Sequence, residues 1–337
     1  MTFEIYHQLG HNYSWNLQSL NADAAGDGVI VAPRYIERGK VEAFPKALRK
    51  KAIFDPQFFL PSVARGKLAS YSFFPEIAAD GFSTSEYEDE AASGSAQACV
   101  DFQIANEFRY IVIPTRYESG MPSDYIESQE RLFVKPFLDA ISAAGTNQPV
   151  LLQVVLNVHM LKDAEYSADI INWITGQTTI AGVYAIFEAD SQWKQIKDAD
   201  FLYRLLQVIA AFRLNSLDVV LGYLNTEALL LSLADPTIVT MGAYENTRSF
   251  GIRAFQESSG PQQGPNPRLY VSRALQWIDR GYHGAIIRRH PAGAAFFDQN
   301  QYQALMFQPT FNWHFSKPEL YKHQFLEFSR QLRRRLP

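Results

Sequence analysis

The stretch Val150-Leu-Leu-Gln-Val-Val-Leu156 decides the fold class, together with the two segments that follow it. It is a mostly apolar run of strand length, which is typical of a strand covered on both faces. Residues 163–175 then place isoleucines at helical spacing, and Gly182-Val-Tyr-Ala-Ile-Phe187 is a second apolar run. A strand, a helix and a second strand in this order form a βαβ unit, which predicts a parallel sheet.

The same alternation extends along the chain. Eight apolar runs are predicted as strands, and they are 28–33, 52–54, 110–113, 150–156, 182–187, 218–222, 237–241 and 284–287. Eight parallel strands are the number that closes a (β/α)8 TIM barrel. The alternative is an open, doubly wound sheet, but no glycine-rich phosphate loop follows the first run. We therefore predict an α/β protein, a single TIM-barrel domain over residues 1–337.

The segments between these runs predict helices and one long insertion. The helices are expected over 123–144, 163–175, 198–214, 225–233, 267–281 and 316–337. Residues 56–108 separate predicted strand 2 from predicted strand 3, which is longer than an ordinary loop. We predict that this insertion is a lid over the mouth of the barrel, because long loops in such folds usually serve the active site.

Composition limits the possible partners and compartments. The 337 residues carry a formal net charge of −4, so the surface as a whole does not favour nucleic acid or an anionic membrane. The single cysteine, Cys99, excludes an intrachain disulfide and a cysteine-rich zinc site. No apolar run reaches the ~20 residues of a membrane span, and the N-terminus does not read as a signal peptide. We expect a cytoplasmic protein with no cofactor and an unknown oligomeric state. Its ligand is expected to be small or nucleotide-like, with nucleic acid left open.

Carboxylates that follow the predicted strands are the candidate catalytic groups. In a TIM barrel the catalytic residues come from the carboxyl ends of the strands. Asp55, Glu188 and Glu245 stand at three such ends. Carboxylates are what glycosyl transfer requires, since one stabilises a positive centre while another moves a proton. Two alternatives stay open. In the first, Asp55 is a structural residue that caps the following turn. In the second, Asp55, His159 and Glu188 bind a metal ion, although our prediction is that no metal is bound.

Other polar residues follow the same strand ends. The predicted substrate-binding residues are Arg34, Gln57, Arg116, Tyr117, Asn157, His159, Tyr223, Asn225, Tyr244, Asn246 and Arg248. Arg288, Arg289 and His290 leave the predicted eighth strand, where barrels of this kind often bind phosphate. Arginine suits this role because its planar fork matches phosphate oxygens. The alternative is that the arginines neutralise the carboxylates of the rim.

Two short segments resemble the tRNA-guanine transglycosylases. Ile53-Phe-Asp55-Pro-Gln57-Phe58 is similar to that family's strand-end aspartate segment, and residues 321–330 are similar to its late helix with a histidine. The resemblance implies a TIM barrel that exchanges a guanine base in RNA or DNA through Asp55 as nucleophile. The chain departs from the family in lacking its zinc-binding cysteines and in having Pro56 where the family has glycine.

These observations lead to two functional hypotheses. The first is an enzyme that exchanges or hydrolyses at a glycosidic or N-glycosidic bond, with Asp55 paired to Glu188 or Glu245. Its substrate is expected to carry phosphate or to be a nucleic acid. The second is a catalytically inactive barrel that binds a phosphorylated ligand or a protein partner.

Overall fold

The computed structural model describes residues 3–60, 66–74, 89–189, 195–255, 264, 266–290 and 292–334. The described chain divides into two compact units. The first comprises Met1–His11 and Gly28–Glu257, and the second comprises Asn12–Asp27 and Ser258–Pro337. The organisation of residues 1–337 as one domain stays a prediction.

The first unit is a (β/α)8 barrel, so the predicted fold class is confirmed. Its strands are β1 (Glu4–Gln8), β2 (Gly28–Val31), β3 (Ala52–Phe54), β4 (Ile111–Ile113), β5 (Val150–Asn157), β6 (Gly182–Glu188), β7 (Asp218–Gly222) and β8 (Ile238–Gly242). All neighbours pair in parallel in the order β3-β2-β1-β8-β7-β6-β5-β4. Between the two end strands the Arg109 amide donates to the Ala52 carbonyl at 2.9 Å, so the barrel is nearly closed.

The helices follow the strands as the sequence pattern indicates, with exceptions given below. They are α1 (Ser14–Ala22), α2 (Arg38–Glu42), α3 (Lys46–Arg49), α4 (Asp89–Ala105), α5 (Tyr125–Gln129), α6 (Lys135–Ala144), α7 (Val158–Lys162), α8 (Ala164–Thr175), α9 (Ala199–Leu214), α10 (Ala228–Leu231), α11 (Glu245–Arg248), α12 (Arg280–Arg289), α13 (Gln301–Met306) and α14 (Pro318–Arg334). A π-helical turn, Glu130–Val134, joins α5 to α6. Asp163 and Asp198 cap α8 and α9 by accepting from the Tyr166 and Phe201 amides.

At the ends of the barrel, one strand was not predicted and one predicted strand is wrong. The first strand is β1, which the sequence analysis did not predict, and its polar residues His7 and Gln8 are fully buried. The predicted eighth strand, 284–287, instead lies inside α12 of the second unit. A four-residue apolar run does not distinguish a strand from one side of a helix, and Ile286 contacts the core there on a helix face. Because β1 comes first, the long insertion follows β3, the third strand.

The interior of the barrel is filled by inward-facing side chains of alternate strand residues. They include Tyr6, Ile30, Ile53, Val112, Leu151, Val155, Tyr184, Ile186, Val220 and Ile238, all buried. Since Ile53 and Asp55 face inward, Phe54 between them faces outward. Phe54 packs there on Tyr71 and Phe73 of the insertion and on Phe102 of α4. Residues 61–65 and 75–88 of the insertion lie outside the described residues, so its role as a lid stays a prediction.

The second unit is built around an antiparallel ladder of β9 (Arg268–Val271) and β10 (Gln276–Asp279). The sequence analysis predicted a helix over 267–281, and this is wrong because Leu269 and Val271 alternate with the strand period. These two residues form the core of the unit with Phe297, Met306 and Leu320. Within the described residues, no helix of either unit is long and apolar enough to cross a membrane.

Candidate functional site

Asp55 lies at the centre of a hydrogen-bond network inside the carboxyl end of the barrel. Gln153 Nε2 donates to its Oδ1 at 2.7 Å, and the Gln57 amide donates to the same oxygen at 3.2 Å. The hydroxyls of Tyr223 and Tyr184 lie 3.1 and 3.3 Å from Oδ2. The barrel therefore brings three side chains, from β5, β6 and the end of β7, and one backbone amide to the carboxylate that follows β3.

Neighbouring residues hold Tyr184 and Gln57 in place within this network. Tyr184 fits beside Asp55 because Gly222 on the neighbouring strand has no side chain, and a Cβ there would lie 2.6 Å from the Tyr184 ring. Gln57 donates from Nε2 to the Tyr223 hydroxyl at 2.9 Å and accepts from the Arg34 amide at 2.9 Å. Asp55 is thus fixed from several sides and does not merely cap a turn.

Two of these residues have strained backbones. Gln57 and Tyr223 have φ angles of +57° and +55°, in the left-handed region that side chains other than glycine, asparagine and aspartate rarely adopt. Such a conformation costs on the order of 1–3 kcal/mol and persists where the surrounding structure holds it in place. Both strained residues hydrogen-bond directly to Asp55. Two of the eight non-glycine residues with positive φ in the described chain are thus neighbours of this buried acid, and strained backbone beside a buried acid is typical of a functional site.

The network leaves two buried polar groups without a partner in the described part of the chain. Gln8 belongs to the network because its Oε1 lies 3.5 Å from the Tyr184 hydroxyl. The two groups are the amide nitrogen Nε2 of Gln8 and the amide oxygen Oε1 of Gln153. Both side chains are fully buried, so neither atom reaches bulk water. A buried donor or acceptor without a partner costs roughly 1–3 kcal/mol, which a bound ligand or water would recover. The site therefore offers one free donor and one free acceptor beside a carboxylate.

An aromatic layer covers this network. Phe59, from the loop after β3, packs edge-on against Phe250 and Phe255 with ring centroids 4.9 Å apart in each pair. Phe250 also contacts Tyr223 at 5.5 Å. The layer excludes water from Asp55, which is fully buried. Burial raises the pKa of Asp55 from 3.8 to about 6, although the hydrogen bonds from Gln153, Tyr223, Gln57 and Tyr184 oppose the shift.

Glu188 is a second acidic residue at the carboxyl end of the barrel. It ends β6, four residues beyond Tyr184 and on the same inward face. Its Oε2 accepts from the Tyr117 hydroxyl at 2.5 Å, and its Oε1 accepts from the Ile252 amide at 3.3 Å. The Tyr117 ring lies 6.1 Å from that of Phe250, so Phe250 contacts both the tyrosine that bonds to Glu188 and the tyrosine that bonds to Asp55.

Glu227 is a further carboxylate at this end of the barrel. It follows β7, and its Oε1 accepts from the Asn225 amide at 2.8 Å. Its Oε2 is buried and has no hydrogen-bond partner in the described residues. Burial raises the pKa of Glu227 to about 7, against the attraction of the Arg248 guanidinium. Glu227 was not among the predicted site residues, because the last residue considered after this strand was Asn225.

The remaining predicted barrel residues hold the rim together. Asn157 caps α7 and donates to the carbonyls of Glu118 and Gly120, while His159 is exposed on that helix. Arg116 pairs with Glu118 at 2.8 Å. Asn246 donates to the Tyr35 hydroxyl at 2.8 Å. These contacts give the residues structural tasks, and their predicted binding roles stay predictions.

Three positions at the mouth do not join the Asp55 network. Tyr244 caps α11, whose first residue is Glu245, and both side chains are half-buried. Arg248 ends the same short helix and is buried. The alternative metal site is not assembled, because no group of three potential ligands occurs among the described residues.

The predicted phosphate-binding residues lie elsewhere. Arg288 and Arg289 are the last two residues of α12 and His290 follows them, all three exposed in the second unit. They do not follow a barrel strand, because the predicted eighth strand is helical. Their predicted place at the rim of the barrel is therefore wrong, and phosphate binding by them stays a prediction.

Comparisons with known proteins add a fold likeness and one correction. A scan against protein-family models finds no match, and a search of curated proteins finds none either. The solved structures include two fold neighbours. An HpcH/HpaI aldolase/citrate lyase family protein from Burkholderia cenocepacia J2315 is 13% identical, over 71% of this chain and 87% of that one, with a TM-score of 0.35. Dihydrodipicolinate synthase from Oceanobacillus iheyensis is 11% identical, over 72% of this chain and 68% of that one, with a TM-score of 0.33. At this identity the likeness concerns the fold alone.

The resemblance to tRNA-guanine transglycosylases is wrong. The fold neighbours named above belong to other enzyme families. The late histidine, His323, is also fully buried in the second unit. Its ring nitrogens lie 2.8 Å from Asn300 Nδ2 and 2.8 Å from the Tyr270 carbonyl oxygen. Both ring nitrogens thus have partners within the core, which is a structural arrangement.

The raised pKa of Asp55 predicts a pH dependence of stability. Because the folded pKa exceeds the unfolded one, the protonated acid favours the fold, and this contribution is lost as pH rises from about 4 to about 6. A shift of about two pKa units corresponds to about 3 kcal/mol. Urea unfolding of wild type and Asp55→Asn at pH 4 and pH 7 measures it. Relative to wild type, the free energy of unfolding of the variant should be about 3 kcal/mol higher at pH 7 than at pH 4. A difference that does not change with pH would contradict the burial of the charge.

Proposed function

We propose that the barrel unit is an enzyme that moves a proton to or from a small polar substrate, with Asp55 as the group that carries the proton. One observation carries this proposal. A carboxyl whose pKa is about 6 sits in a fully buried network that still has a free donor on Gln8 and a free acceptor on Gln153. General acid–base catalysis works best with a pKa near the operating pH, and burial is the usual means of raising that of a carboxyl.

The reaction class that we propose is cleavage or exchange at a glycosidic or N-glycosidic bond. It is supported by a second carboxylate, Glu188, which accepts from Tyr117 and has different surroundings from Asp55. Phe250 contacts both Tyr117 and the Tyr223 that bonds to Asp55. Two acids in unlike environments are the usual arrangement for this chemistry, where one donates a proton and the other stabilises the positive centre. We assign proton donation to Asp55, because burial keeps it protonated to a higher pH than an ordinary aspartate.

The alternative, an inactive barrel that binds a phosphorylated ligand, also has one observation in its favour. Nη1 of Arg34 is buried and has no hydrogen-bond acceptor among the described residues. The guanidinium lies 5.1 Å from the Phe255 ring, at the edge of the aromatic layer. An unsatisfied guanidinium nitrogen at this place would suit a phosphate or carboxylate oxygen.

A ligand and turnover screen distinguishes the two functions. Nitrophenyl glycosides, nucleosides, sugar phosphates and inorganic phosphate are tested for thermal stabilisation and for bond cleavage. A ligand at a hundredfold excess over its Kd stabilises the fold by about 2.7 kcal/mol. Cleavage that Asp55→Asn and Glu188→Gln both abolish would support the enzyme. Stabilisation by phosphates alone, without cleavage and lost in Arg34→Gln, would show the binder.

A further inference from the structure

The two units differ in charge. The second unit contains eleven Lys or Arg and six Asp or Glu, which gives it a formal net charge of +5. The whole chain has a charge of −4, so the barrel unit carries −9. Nine of the eleven cations of the second unit are arginine. Such an asymmetry points to an anionic partner of the second unit that the average charge of the chain conceals.

The helix α12 concentrates this charge. Its sequence, Arg-Gly-Tyr-His-Gly-Ala-Ile-Ile-Arg-Arg, has three arginines and no acid, and none of its residues is fully buried. Arg280, Arg288 and Arg289 are exposed and form no ion pair with a described acidic residue. Arg330 and Arg333 of α14, in contrast, pair with Glu327 and Asp27. Helix α12 therefore carries three exposed arginines that have no acidic partner among the described residues.

We propose that α12 binds the phosphate backbone of single-stranded nucleic acid. The inner side of the helix is anchored by His283, whose ring centroid lies 3.7 Å from that of Phe307. Arg288 lies about 140° around the helix axis from His283, so it faces away from that inner side. Arg280 lies about one turn before His283, and its guanidinium lies 5.7 Å from the Trp313 ring. Gly284 lies between the two arginines, and the Arg288 guanidinium lies over it, with Nη1 3.2 Å from where a Cβ would be. A phosphate can bind there to the exposed Arg288 guanidinium.

An exposed aromatic ring favours nucleic acid over a lipid surface. Tyr282 is 62% exposed, and on the helix it lies within about 20° of Arg289, roughly 10 Å away along the axis. Base stacking on aromatic rings and guanidinium planes is worth about 1–3 kcal/mol per base and does not require a particular sequence. The preference for arginine over lysine is consistent with bidentate contacts to phosphate. The proposal does not depend on the function of the barrel.

Fluorescence anisotropy with labelled 20-nucleotide single-stranded RNA and DNA tests the proposal on the full chain. Affinity is measured between 50 and 200 mM salt for wild type and for Arg288→Gln/Arg289→Gln. Each phosphate contact to a single strand contributes about 0.7 to the slope of log affinity against log salt. We expect the double variant to bind at least fivefold more weakly and to lower that slope by about 1.4. Tyr282→Ala should weaken binding without changing the slope.

The matched control is Lys50→Gln/Lys51→Gln, which removes two adjacent exposed cations from the barrel unit. It should leave both affinity and slope unchanged. An equal loss in this control, an unchanged slope in the arginine variant, or binding to phosphatidylserine vesicles without binding to oligonucleotides would overturn the proposal. The substituted residues are exposed, so thermal unfolding should match wild type. If the double variant fails to fold, Arg280→Gln is measured instead, with an expected slope change of about 0.7.

Discussion

Replacing Asp55 by Asn is expected to lower turnover by roughly a hundredfold or more, because acid–base catalysis contributes roughly 10²–10⁴ in rate. Asn keeps the shape of the side chain, and its Oδ1 can still accept from Gln153 Nε2 and the Gln57 amide. The Asn amide does not ionise near pH 6, so it cannot donate or accept the proton of the reaction. The measurement is kcat and KM on whichever compound of the screen is cleaved, together with thermal unfolding of both proteins. The loss should fall on kcat.

The control for this variant is Asp139→Asn, the same change at an exposed position of α6. It should retain full turnover. Full turnover in Asp55→Asn would show that Asp55 carries no proton in the reaction. Unfolding of Asp55→Asn would show instead that the carboxylate is needed by the barrel itself.

Replacing Phe54 by Ala is expected to destabilise the barrel unit by about 3–5 kcal/mol, the usual cost of truncating a buried phenylalanine. Phe54 is fully buried on the outer face of β3. Its ring stacks on Phe108 at 5.4 Å and contacts Phe102 at 5.0 Å and Tyr71 at 5.7 Å. Removing the ring leaves a cavity between β3 and two parts of the insertion, Tyr71 and helix α4. Urea unfolding at pH 7 measures the change in free energy.

Tyr203→Ala is the matched aromatic truncation, since Tyr203 is 60% exposed on α9. It should cost well under about 1 kcal/mol, as is usual for exposed side chains. A similarly small effect of Phe54→Ala would show that the insertion does not pack on β3 in solution.

Most of the barrel was predictable because its strands are buried on both faces. Such strands read as apolar runs, and seven of the eight predicted runs are strands of the barrel. The missed strand, β1, has polar inward residues, and its pattern resembles that of an exposed segment. The misassigned run 284–287 is a short apolar stretch of a helix, which local sequence does not separate from a strand.

The centre of the site was predictable only in part. Reading the residues after each strand found Asp55, Gln57 and Tyr223, and also found Tyr117 and Glu188, which bond to each other. It missed Gln8, Gln153 and Tyr184, because these lie within strands rather than after them. Gln153 did carry a signal, since it is the one amide inside the apolar run 150–156. A polar side chain in a buried strand needs a hydrogen-bond partner. The sequence does not identify that partner, because it depends on how the strands are aligned in the barrel.

The most direct test of the account is the titration of the Asp55 carboxyl in the folded protein. Protein labelled with ¹³C at its aspartate side-chain carboxyls is titrated by NMR, and the signal absent from Asp55→Asn is assigned to Asp55. We expect the Asp55 signal to titrate with a midpoint near pH 6, well above the ordinary aspartate pKa of 3.8. A ligand that pairs with Gln8 and Gln153 should shift this signal. A midpoint at or below 3.8 would contradict the claim that Asp55 is the buried proton carrier of the site.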